Sequence, residues 1–117
     1  MNGEYPTDAT YNKLVRDKIP AIIEADGLVV ETRKLSEEEI VELLKQKAVE
    51  ESQELAEATE IDDVKKEMSD VLEVLVSLAD KLNVEMAEIE GIRQGRAEKR
   101  GRFNDGVFLV KTYKDKK

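Results

Sequence analysis

The apolar positions of this 117-residue chain fall into blocks of different period. Residues 1–10 are polar and aperiodic, which predicts a flexible N-terminal arm ahead of one domain over 11–117. YNKLVRDKIPAIIEADG (11–27) predicts a short extended lead-in and then a helix, with Asp17 as N-cap, Pro20 in the first turn and Gly27 as the stop. Ser36 followed by Glu39 is a capping box, and Leu35 with Ile40 is the hydrophobic staple around it, so a helix from about 37 to 59 follows. Asp62 or Asp63 should cap a third helix, VKKEMSDVLEVLVSLADKL. Asn83 should cap a fourth, running to about Arg100 and ended by Gly101. LVVETRKL (28–35) and VFLVKTY (107–113) look like strands, rich in β-branched residues, that could pair. The expected fold is all-α, a four-helix-type bundle with a small two-stranded accessory of about 28–35 with 107–113.

Helical phase then singles out four carboxylates. With Ile40 at zero, Leu43, Leu44, Ala48, Leu55 and Ala58 lie within about 80°. Glu51 falls at about 20° and Glu54 at about 40° on the other side, with Lys47 between them. Both glutamates should therefore face inward, one turn apart, while Glu42 and Glu57 point away and Glu50 lies off the stripe centre. The third helix is apolar over a wide arc, which implies burial on more than one side, in a bundle or a dimer interface. Glu67 falls within that arc, and Asp70 sits one turn on, just beyond its edge. Buried carboxylates stay ionised only with compensation. They could face solvent after all, or pair with Lys47, Lys65 and arginines of the fourth helix, or collect a divalent cation.

Composition narrows these choices. There is neither cysteine nor histidine, which removes disulfides, thiolate and Ser-His chemistry, and soft-metal sites. Any metal would be held by oxygen, favouring Mg²⁺, Mn²⁺ or Ca²⁺. A net charge of −8 argues against a nucleic acid polymer as the main partner. That charge is uneven: residues 35–92 hold 18 acidic and 5 basic side chains, and 93–117 hold 9 basic and 3 acidic. An acidic middle with a basic end is the polarity that a metal and a polyphosphate need together, although solvated helix faces and a lysine-rich tail account for much of it. With no apolar run of membrane-spanning length and no signal-peptide pattern, the expected location is the cytoplasm.

EESQE (50–54) followed by EMSD (67–70) resembles the ExxE…ExxD metal motif of the MazG-like all-α NTP pyrophosphatase superfamily. YNKLVRDKIP (11–20) and RAEKRGRFNDGVFLV (96–110) are similar to the N-terminal signature and the basic segment of a small single-domain branch, often labelled phosphoribosyl-ATP pyrophosphohydrolase-like. The resemblance spans nearly all of the chain beyond residue 10. It implies Glu51, Glu54, Glu67 and Asp70 as ligands of Mg²⁺, with Mn²⁺ an alternative. It further implies Arg96, Lys99 and Arg100 as contacts of a substrate triphosphate, and Lys47 is a further candidate. Asn12, Lys13, Arg16 and Asp17 match the N-terminal signature without an assigned chemistry. Where the branch reads Arg-Gly-Gly-Phe, this chain reads Arg100-Gly101-Arg102-Phe103, and an arginine there forgoes easy access to positive φ.

The reaction so implied is hydrolysis of a nucleoside triphosphate between its α and β phosphates, giving the monophosphate and pyrophosphate. House-cleaning of non-canonical nucleotides is the family-level expectation. Such chemistry needs charge neutralisation and positioning rather than a protein nucleophile. Glu51 or Glu54 would orient or deprotonate the attacking water. Two other readings stand beside this one: phosphoribosyl-ATP as the substrate, and a non-catalytic helical interaction module. The broad apolar arc of the third helix also predicts a homodimer or homotetramer.

Overall fold

The computed structural model describes residues 5–116, and its described part is all-α. The helices are α1 (Ile19–Ala25), α2 (Glu37–Glu57), α3 (Ile61–Lys81) and α4 (Met86–Arg100). The part of the expected N-terminal arm at 1–4 lies outside the described residues. The chain divides into two compact units, Met1–Val84 and Glu85–Lys117.

The first unit is built on a helical hairpin. Ser36 starts α2: its Oγ accepts from the Glu39 N–H at 3.2 Å, and the Glu39 carboxylate accepts from the Ser36 N–H at 3.2 Å. That contact, with the Arg33 guanidinium at 3.2 Å, holds the Glu39 carboxyl below the ordinary glutamate range. The connection from α2 to α3 is only residues 58–60, so the two helices return antiparallel. At the open end, Lys81 of α3 reaches Glu37 of α2 at 3.4 Å. Leu44, Val74 and Ala79 are the buried apolar residues of the hairpin, and the rest of the facing stripe is half-buried.

Helix ends depart from the sequence reading in instructive ways. α3 begins at Ile61 behind Glu60, so Asp62 and Asp63 lie inside the first turn, where their charge complements the helix dipole without capping. α1 likewise begins behind Lys18 rather than Asp17, with Pro20 in its first turn. Asn83 belongs to the end of α3, not to the start of α4. It takes φ +57, its N–H bonds to the Asp80 carbonyl at 3.2 Å, and the Val84 N–H reaches the Ala79 carbonyl at 2.9 Å. This is a Schellman ending with asparagine in the left-handed position.

The two-stranded accessory is not formed. Residues 28–35 and 107–113 carry no strand, and they belong to different units. β-branched residues favour extended backbone, but a strand also needs a neighbour to complete its ladder. Val29, Val107 and Phe108 are instead almost fully exposed.

In the second unit, Arg93 forks onto Glu90 of the same helix, its Nη2 reaching the carboxylate at 2.6 Å. Gly101 ends α4 at φ +84, donating its N–H to the Ala97 carbonyl at 2.8 Å. Positive φ in the following segment falls on Gly101 and Gly106, not on Arg102. The arginine at 102 therefore sits in ordinary backbone and adds charge without backbone strain.

No helix among the described residues is long and apolar enough to cross a membrane.

Candidate metal centre

The hairpin brings the carboxylates of α2 and α3 together. Lys47, Glu51 and Glu54 lie at i, i+4 and i+7 on α2, and Glu67 and Asp70 at i and i+3 on α3. Glu51, Glu54 and Glu67 each offer one carboxylate oxygen such that all three lie within 4.8 Å of one another. The three sit in different surroundings. The Glu51 and Glu67 side chains are only 16% and 12% exposed, whereas Glu54 is exposed. The inward direction expected for Glu54 is thus not matched by burial.

Charge compensation in this cluster is incomplete. Lys47 Nζ approaches Glu51 Oε1 at 3.8 Å, and Lys66 Nζ approaches Glu67 Oε1 at 3.8 Å. Burial pushes the Glu51 carboxyl above its ordinary range, and the Glu54 charge pushes it further. Lys47 opposes that rise, and Asp70 and Glu67 add to it. The second oxygen of Glu67, Oε2, is buried and has no hydrogen-bond partner. A buried acceptor left unpaired is costly.

A divalent cation fits that observation. The donor set is all oxygen and all anionic, as hard cations require, and one of its buried oxygens lacks any other partner. Three glutamates do not select among Mg²⁺, Mn²⁺ and Ca²⁺.

Asp70 stands apart from the trio. It is half-buried, and its Oδ1 accepts from Arg16 Nη2 at 2.9 Å. Its charge still acts on Glu51. Arg16 is the residue whose partner the sequence did not reveal. It lies in the irregular lead-in to α1, 54 positions before Asp70, and no periodicity links the two. Arg96, Lys99 and Arg100 occupy the C-terminal half of α4 in the second unit, all three exposed, with Lys99 and Arg100 in the last turn. Glu50 is exposed on α2. One surface depression is lined by Ala48, Val49, Ser52 and Gln53, and another by Glu37, Glu38, Val41, Glu42 and Leu82. Neither takes in a residue of the carboxylate cluster.

Compared with models of known families, with curated proteins and with solved structures, the chain matches none.

Proposed function

We propose that the protein is a Mg²⁺-dependent nucleoside triphosphate pyrophosphohydrolase, cleaving between the α and β phosphates to release pyrophosphate. The observation that carries the reading is the trio Glu51, Glu54 and Glu67, with its oxygens within 4.8 Å and Glu67 Oε2 buried without a partner. The order of the three motifs along the chain supplies the choice of reaction. A bound divalent cation would neutralise phosphate charge and make water more acidic. Glu51 or Glu54 would orient the attacking water or take its proton. Lys47, half-buried beside Glu51, would hold a substrate phosphate through its ammonium. The phosphate-binding roles of Arg96, Lys99 and Arg100 rest on the motif alone.

The deciding experiment measures pyrophosphate release from canonical and damaged nucleoside triphosphates and from phosphoribosyl-ATP, with Mg²⁺ and with chelator. Mg²⁺-dependent release that is lost in Glu51→Gln supports the reading. No release from any substrate, or release that chelator leaves untouched, overturns it.

One observation favours self-association alongside catalysis. Met68, Leu72, Leu75 and Val76 form an exposed apolar strip on α3, beside the half-buried stripe of that helix. A two-helix layer leaves such a face uncovered, and a second copy of the chain is the occupant we propose for it.

A further inference from the structure

Arg16 pairs with the one carboxylate of the acidic group that does not join the other three. Its Nη2 donates to Asp70 Oδ1 at 2.9 Å, while the oxygens gathered within 4.8 Å belong to Glu51, Glu54 and Glu67 only. Asp70 is nevertheless close enough for its charge to raise the proton affinity of Glu51. The two ends of this pair are unequally anchored. Asp70 is fixed on α3, one turn after Glu67, and its side chain is 27% exposed. The Arg16 side chain is 59% exposed and projects from the irregular segment before α1. Its guanidinium can therefore leave without unfolding a helix.

We propose that Arg16 is a counter-ion latch on Asp70: it occupies this carboxylate until a divalent cation enters the Glu51–Glu54–Glu67 cluster, and Asp70 then passes from the guanidinium to the cation. The inference rests on reading the trio as a cation site. It adds a positioning role for Arg16, which sets how readily the fourth carboxylate becomes available. The charge arithmetic favours exchange. Four carboxylates face the side chains of Lys47, Lys66 and Arg16, and a dication replaces the positive charge that Arg16 withdraws. An ion pair this exposed is weak enough for a cation to displace.

The test is calorimetric titration of Mn²⁺ into the wild type, Arg16→Gln, Asp70→Asn, the double variant and Glu67→Gln. Far-UV circular dichroism checks that each variant keeps its helices. Arg16→Gln should bind Mn²⁺ about two- to fivefold more tightly, since the cation no longer competes with an ion pair. Asp70→Asn should bind more weakly, and adding Arg16→Gln to it should bring no further gain. A second readout is the side-chain N–H signal of Arg16 by NMR, which should shift and weaken, through faster exchange with water, as Mg²⁺ frees the guanidinium. Unchanged or weaker Mn²⁺ binding in Arg16→Gln overturns the latch, as does an equal gain in the Asp70→Asn background. Failure of the cation-site reading looks different: Glu67→Gln would then bind Mn²⁺ as the wild type does.

Discussion

Replacing Glu67 with glutamine should stabilise the protein in chelator and destabilise it, relative to wild type, in divalent cation. Glu67 faces two carboxylates whose oxygens lie within 4.8 Å, and at that separation two unit charges repel by about 0.9 kcal/mol in bulk water and about 3.5 kcal/mol at an effective dielectric of 20. Glu54 is exposed, so its share lies near the lower figure, and Lys66 at 3.8 Å offsets part of the remainder. A net relief of about 1–2 kcal/mol follows, and the glutamine amide can also donate to a neighbouring carboxylate. For a chain of this size that is a rise in Tm of about 4–8 °C. The cation reverses the order. At ten times its Kd it stabilises a competent site by about 1.4 kcal/mol, and at a hundred times by about 2.7 kcal/mol. Glu67→Gln, one ligand short, forgoes most of this gain. Differential scanning fluorimetry of both proteins, in chelator and across a Mg²⁺ or Mn²⁺ titration, should show the two melting temperatures cross. If wild type and variant keep the same order throughout, Glu67 is not a ligand, and if cation moves neither, the cluster is not a cation site.

Three further outcomes are expected. The Glu51 carboxyl binds its proton more tightly in the folded than in the unfolded chain, so stability in chelator should fall as pH rises from the ordinary carboxylate range through the raised folded value. Glu51→Gln should flatten that part of a Tm-against-pH curve, and an unchanged slope would remove Glu51 as its source. Multi-angle light scattering at micromolar concentration should find the wild type at least dimeric, and Leu72→Lys, within the exposed strip of α3, should shift it towards monomer. A monomeric wild type contradicts the second-copy reading. Ser36→Ala removes the hydroxyl that accepts from the Glu39 N–H and should cost about 1 kcal/mol, read as a lower urea midpoint at constant slope; an unchanged midpoint would show that the cap contributes little.

Local signals carried much of this fold, and long-range ones carried little. The capping box at Ser36, the proline early in α1 and the glycine after α4 each act within a few residues, and each stands where the sequence placed it. The α2 stripe through Leu44, Lys47, Ala48 and Glu51 was legible for the same reason, since helical period fixes which side chains share a face. Asn83 misled because asparagine suits both ends of a helix. Only the backbone, turning left-handed at that residue, separates the start of α4 from the end of α3. The strands failed on pairing, which propensity does not encode. In the carboxylate group, spacing identified the glutamates, but the partner of Asp70 was invisible because the chain crosses 54 residues between them.

A cost is built into α2. At Lys47 and Glu51, where an ordinary hairpin would seat leucine or alanine, the chain places charge. The consequence shows in the core, whose buried apolar members in the hairpin are Leu44, Val74 and Ala79. Apolar residues at those positions would each contribute burial that the charges forgo. Evenly distributed surface charge carries no such penalty, so the concentration of it on the facing stripe needs a compensating interaction. Lys47 and Arg16 supply part, each bonding one carboxylate. Glu67 Oε2 receives nothing from either. A cation in the trio answers that remaining deficit where it is greatest, and a second copy on α3 would supply the apolar cover that α2 alone does not. The two additions act on different residues, so their effects on stability should add. A Leu72→Lys variant should therefore keep the full cation-dependent rise in Tm while losing the dependence of Tm on protein concentration.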